Sequence, residues 1–304
     1  MTLDSPPTVT SVGMRSVTKL LHARPNDRLD DSGRDQRFST GTPPLDEAVG
    51  GGFRRRDLVL IAGGPGAGKT ILALQWARAA AMQGARAIYV SYGYNEADLL
   101  ARFTTLEFAS AQRDAMARIG SYGSHLHLVA ASGRYTDIDA IERLVPDQGH
   151  RETVLFVDYL QRIPTRGMQF ASDDDRVGYL AESLKELALR RNVAVVAVAA
   201  VDKDALSKPR FELQDVQGPG AVLYEADIVL MLNVKARASS QRHLARDVSR
   251  AELATRNVIV SVEKNRNGVA GNEVEFGWDS TRLAVHPDAS CLTPHLVDDV
   301  VVVE

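Results

Sequence analysis

LVLIAGGPGAGKT, residues 58–70, decides the fold. The run 58–63 is apolar and uncharged, as in a strand buried on both faces, and Lys69 opens a stretch with helical spacing. Between them Gly63, Gly68, Lys69 and Thr70 stand on the pattern G-x-x-x-x-G-K-[ST]. Glycines let successive backbone N–H groups close around phosphate oxygens, and the start of a helix adds partial positive charge. Lys69 has the reach and charge for β- and γ-phosphates, while the Thr70 hydroxyl suits Mg²⁺. The predicted cradle for ATP runs through Gly63, Gly64, Pro65, Gly66, Ala67, Gly68, Lys69, Thr70 and Ile71.

TVLFVDYLQ, 153–161, supplies the other half of such a site. Asp158 ends a buried strand beside the phosphate loop. Alone, an aspartate there is more often a helix cap. Paired with the loop, it becomes with Thr70 the predicted holder of the Mg²⁺ shell. Further apolar runs at 87–91, 126–130, 193–200, 227–232 and 257–264 alternate with helical segments at 69–83, 96–103, 137–144 and 177–191. That order predicts an open, mostly parallel α/β sheet flanked by helices. NEVEFGWD (272–279) and TRLAVHP (281–287) read as a β-hairpin closing one sheet edge. Residues 1–37 read as a mobile arm with a short helix over 14–23, residues 38–290 as the folded domain and 291–304 as a peripheral tail.

The chain has 304 residues, 44% hydrophobic and 25% charged, which suits a soluble globular protein. No apolar run approaches the roughly 20 residues that cross a bilayer, and the N-terminus lacks the pattern of a signal peptide. The single cysteine, Cys291, excludes an internal disulfide framework and fits the cytoplasm. A net charge of −3 gives no global support to nucleic-acid binding, so that claim rests on local patches.

FSTGTPPLDEAVGGGFRRRDLVLIAGGPGAGKTILALQWARAAA (38–81) resembles the start of the C-terminal ATPase domain of DnaB-type replicative helicases. TVLFVDYLQRI, ESLKELALRRNVAVVAVAAVDK, YEADIVLMLN and VEKNRNGVAGNEVEFGWD resemble the later motifs of that family, in order. The resemblance implies a RecA-like P-loop core, copies assembled as a ring, usually a hexamer, and ATP between neighbours. It gives Lys264 and Arg266 of the KNRNG run a role at the adjacent subunit's γ-phosphate. Arginine fingers of this kind are worth about 10³–10⁵ in rate.

This chain departs from the pattern in three places. Gly93 stands where the family carries the glutamate that polarises water, and Glu96, three residues on, is the available substitute. Ala199 and Ala200 replace a serine–glutamine pair that senses the γ-phosphate. The 37 N-terminal residues are too few for the primase-binding domain. Losing a catalytic base costs about 10²–10⁴ in rate, so ATP binding with slow hydrolysis is expected.

In RecA-like rings, loops corresponding to 162–176 and 202–220 face the channel. The second holds Lys203, Lys208, Arg210 and a Gly218-Pro219-Gly220 turn, but both hold acids, including Asp173 to Asp175. The segment 235–256 carries six Lys/Arg against two acids and reads as a solvated helical excursion. Tyr92, Tyr94 and Phe211 are candidates for base stacking, with packing as the commoner use. Three readings follow. The first is a DnaB-like ATPase moving on single-stranded DNA. The second is a nucleotide-gated assembly protein that does not unwind, and the third a RadA-type recombination ATPase. The missing zinc-binding cysteines count against the third. The arm, through Val17, Leu20 and Leu21, is a candidate contact to a neighbouring copy.

Overall fold

The computed structural model describes residues 37–107, 112–146, 152–235, 257–279, 284–285 and 290–292. The predicted arm, its helix at 14–23, most of the 235–256 segment and residues 293–304 lie outside these. Arg37–Glu304 forms one compact unit.

The elements at the front of the unit are β1 (Arg37–Phe38), α1 (Pro43–Ala48), β2 (Phe53–Arg54), β3 (Leu58–Gly63) and α2 (Lys69–Met82). Next come β4 (Arg86–Ser91), α3 (Glu96–Glu107), α4 (Gln112–Tyr122), β5 (Leu126–Ala130), α5 (Ile138–Leu144) and β6 (Thr153–Asp158). The chain continues through α6 (Asp173–Arg191), β7 (Ala194–Ala200), α7 (Pro219–Glu225) and β8 (Ile228–Val234). It closes with β9 (Asn257–Asn265), β10 (Glu273–Asp279), β11 (Ala284–Val285) and β12 (Ser290–Leu292).

A ten-stranded sheet has the order β11-β10-β9-β8-β3-β7-β6-β4-β5, with β12 also on β10. The six strands from β8 to β5 are parallel. Every residue of β3 and β6 is buried, because helices cover both faces. One face packs Trp76 of α2 against Phe53, ring centroids 4.8 Å apart. The other packs Leu180, Leu184 and Leu187 of α6 against Leu58, Leu60 and Val195. Asp46 in α1 takes Ser39 Oγ at 2.5 Å and the Thr40 N–H at 2.7 Å, which seats the 38–46 entry segment.

Four expectations change. β9, expected among the parallel strands, runs antiparallel to β8. An all-apolar run reports burial, not direction. β5 is half-exposed rather than buried on both faces, because it is the sheet edge. α6 begins at Asp173, four residues before the predicted start. Ser172 caps it by accepting from the Asp175 N–H at 3.0 Å, and the three aspartates face the positive end of the helix dipole. Those acids are therefore part of a helix start, not of a free loop. Lastly, β12 carries the sheet past residue 290 through its pairing with β10. The predicted hairpin of β10 and β11 is present, with Trp278 opposite Val285.

Candidate nucleotide site at three strand ends

Three adjacent strands, β3, β7 and β6, end together, and the chemistry gathers there. β3 ends in Gly63 with φ 153°, where an added Cβ would sit 2.7 Å from the Leu232 carbonyl. No side chain fits. Gly68, with φ 95°, opens α2 with no side-chain cap, leaving the first N–H groups of the helix available to an anion. A Cβ on Gly64 would meet the Phe211 ring at 2.8 Å. Asn233 fixes that ring from behind. Its amide accepts from the Phe211 N–H at 2.8 Å and donates to the Phe211 carbonyl at 3.0 Å.

Lys69 Nζ folds back onto the Gly63 and Gly64 carbonyls, 2.7 Å from each. Burial lowers its ammonium to about 8, and the Asp158 charge opposes the shift. Asp158 is itself buried, and burial raises its carboxyl. Hydrogen bonds from Thr70 and Tyr89 and the charge of Lys69 pull the other way. Tyr89 is fully buried and donates to Asp158 Oδ2 at 2.9 Å. Thr70 and Asp158 thus meet, as a hydroxyl and a carboxylate oxygen, the hard donors that Mg²⁺ takes. Among the described residues no group of three or more His, Cys, Asp or Glu forms a metal cage.

A pH consequence follows for Lys69. Phosphate selects its charged form, so near pH 8 ATP binding should take up a fraction of a proton. Uptake should fade about two units lower, where Lys69 is already charged. Calorimetry in two buffers of different ionisation enthalpy measures this, and Lys69→Arg should abolish it.

Glu96 is not in this group. It accepts from the Ala130 N–H at 3.3 Å, at the end of β5. Two strand spacings, about 10 Å, separate β5 from β6, the nearest strand of the group. Lys264 and Arg266 are also remote from their own Lys69. β9 carries them to the end of the sheet where β3 begins. There the Arg266 N–H donates to the Asp227 carbonyl at 2.8 Å, and the Leu58 N–H donates to Asp227 Oδ2 at 2.7 Å. About 17 Å of strand lies between that end and Gly63. Lys264 donates to the Leu223 carbonyl and Arg266 to the Tyr224 carbonyl, at the C-terminal end of α7. Burial, then the neighbouring Arg266 charge, lowers the Lys264 ammonium. Asn265 to the Val49 carbonyl (3.3 Å) and Asn267 to Asp57 (2.8 Å) pin the same turn.

Sequence reading misses Tyr89 and Arg102. The Arg102 guanidinium stacks 4.1 Å from the centre of the Tyr94 ring, and its charge lowers the Asp158 carboxyl. An arginine on a helix gives no signal in one sequence. Tyr89, a hydroxyl within an otherwise apolar run, is the visible hint.

The DNA-facing candidates are mostly committed to other partners. Lys208 pairs with Asp215 at 2.5 Å, and Arg210 pairs with Glu273. The Gly218 N–H donates to Asp174 Oδ1 at 3.0 Å. Tyr92 and Phe211 are buried, and the Tyr92 hydroxyl donates to the Thr136 carbonyl at 2.5 Å. Lys235, which opens the basic segment, pairs with Glu275 at 2.7 Å.

Among known proteins, the family model described as DnaB-like helicase C terminal domain matches residues 38–284. The replicative DNA helicase DnaB of Treponema pallidum is 28% identical over 264 residues, 81% of this chain and 55% of that protein. The DNA repair protein RadA of Mycobacterium tuberculosis is 27% identical over 233 residues, 75% of this chain and 43% of that protein. The chain therefore spans about half the length of the curated relatives it matches. Of solved structures, a DnaB-like replicative helicase superposes with TM-score 0.73 at 19% identity, covering 89% of this chain and 68% of that one. The RadB recombinase gives 0.55 at 18% identity, covering 82% and 98%. These likenesses show the RecA-like fold, and no described helix is long and apolar enough to cross a membrane. With the match running from Phe38 of β1 to Ala284 of β11, most of the chain, this chain belongs to the DnaB-like helicase C-terminal domain family.

Proposed function

We propose that the chain is an oligomeric, DNA-dependent ATPase that acts on single-stranded DNA and hydrolyses ATP slowly. ATP and Mg²⁺ sit between neighbouring copies of a ring, a hexamer. The supporting observation is the placement of Lys264 and Arg266. They stand at the sheet end opposite their own phosphate loop, pre-organised by Asp227, Asn265 and Asn267. From there they serve a nucleotide held by another copy.

In this reading, N–H groups from Gly66 to Thr70 hold the phosphates. Lys69 leaves the Gly63 and Gly64 carbonyls for the β- and γ-oxygens. Thr70 and Asp158 hold Mg²⁺, which neutralises charge across those oxygens when bound. Arg102 adds positive charge on the Asp158 side, and Lys264 and Arg266 of a neighbour stabilise charge on the transferring phosphoryl group. Glu96, which accepts from the Ala130 N–H at the end of β5, is given no step in this reading.

A second reading, a nucleotide-gated assembly protein without unwinding, draws on two observations. Gly93 offers no base, and Lys208 and Arg210 are neutralised within the chain. Light scattering and steady-state hydrolysis, each with and without single-stranded DNA, separate the readings. ATP-dependent growth in mass with DNA-stimulated turnover, both lost in Lys69→Ala, is the expected result. Assembly with DNA-indifferent turnover selects the second reading, and a monomer in every condition removes both.

A further inference from the structure

Ala200 closes β7 between the two halves of the site. Gly63 is its register partner on β3, while Asp158 pairs with Val198 on the other flank. Its side chain offers nothing polar, yet its backbone N–H holds a side chain from elsewhere. Gln161, three residues beyond Asp158, accepts that N–H through Oε1 at 3.2 Å. With the carbonyl oxygen committed, the carboxamide NH₂ is left over, and Gln161 Nε2 is buried with no hydrogen-bond partner. An unmatched buried donor opposes folding and marks strain, a bound water, or an acceptor that arrives in another state. Trp76 Nε1 and His125 Nδ1 are also buried without partners, but neither lies at the C-terminal strand ends beside the cradle. Gln161 does.

Resting on the reading that the cradle holds ATP, we propose that Gln161 senses the terminal phosphate, its NH₂ donating to a γ-phosphate oxygen while its carbonyl stays on Ala200. The same residue is wired to both neighbouring loops. Its backbone carbonyl accepts from Arg176 Nη1 at 3.2 Å in the first turn of α6. The Ala200 carbonyl accepts from the Gln217 N–H at 3.1 Å, and Gln217 Nε2 donates to Asp173 at 2.5 Å. A pull on the Gln161 amide is therefore felt at the start of α6 and just before α7.

Gln161→Glu is the discriminating variant. It keeps an oxygen for the Ala200 N–H and replaces the NH₂ donor with a charge that repels phosphate. Calorimetric titration of the full chain with Mg²⁺ and either AMP-PNP or ADP reads the result. Wild type should prefer AMP-PNP. In Gln161→Glu the AMP-PNP affinity should fall about ten- to a hundredfold with ADP affinity unchanged, and a cooperative melting transition checks that the variant is folded. Gln161→Ala should move the ratio the same way, by less. An equal loss for both nucleotides, or an unaltered ratio, makes Gln161 structural only and overturns the proposal. If wild type binds neither nucleotide, the reading of the cradle fails and this one falls with it; if wild type binds both and the ratio stays put, the cradle stands and only Gln161 is wrong.

Discussion

Gly93→Glu is expected to accelerate steady-state ATP hydrolysis about a hundredfold or more, the usual worth of a positioned base. The site has room for it. An added Cβ at Gly93 meets nothing within 4 Å, and the backbone there is not in the left-handed region. The position is also held still. Ser91 Oγ accepts the Gly93 and Tyr94 N–H groups at 3.3 and 3.0 Å, and the Tyr92 N–H donates to the Asp158 carbonyl at 2.8 Å. A carboxylate projected from residue 93 therefore starts one residue from a backbone tied to Asp158 at the end of β6. Arg102, stacked on the ring of Tyr94 one residue on, supplies the opposite charge. Phosphate release by purified wild type and variant, at matched oligomer size, measures the gain. No gain, with nucleotide binding intact, would mean that the slow step lies outside water activation.

The largest loss is expected from Arg266→Ala, about 10³-fold in turnover. Removing Arg266 also removes a contact to Asp227, so lost rate alone would be ambiguous. Mixing resolves this. Lys69→Ala destroys the cradle of its own copy but keeps its Arg266, and Arg266→Ala does the reverse. Mixed assemblies contain junctions in which an intact cradle faces an intact Arg266, and these should recover turnover that neither variant shows alone. Recovery at about a quarter of the wild-type level is the expectation for random 1:1 mixing with independent junctions. Absence of any recovery, with mixed oligomers present, would place Arg266 outside the neighbour's site.

How far the sequence can be read follows from what each signal reports. The phosphate loop is legible because its glycines answer to backbone sterics: at Gly63 a Cβ collides with a carbonyl, so the residue type is dictated. Asp158 is legible from its place at the end of an apolar run. Helix ends are less so. The run Asp173–Asp175 has the composition of a loop and is the first turn of α6. Pairings between distant segments are closed to one sequence, because nothing in the letters ties Gln161 to Ala200 or Phe211 to Gly64. Strand direction is closed for the same reason: Val258 to Val262 are buried in either orientation.

Under the proposed function, that direction sets how many copies a complete centre needs. Had β9 run parallel to β8, its last residues would have emerged beside Gly63, and one polypeptide would have held cradle and finger side by side. Because it runs the other way, cradle and Arg266 stand at opposite ends of one sheet. If Arg266 serves a neighbour's nucleotide as proposed, the reversal makes the protein a concentration gauge: specific activity should climb with the amount of protein present.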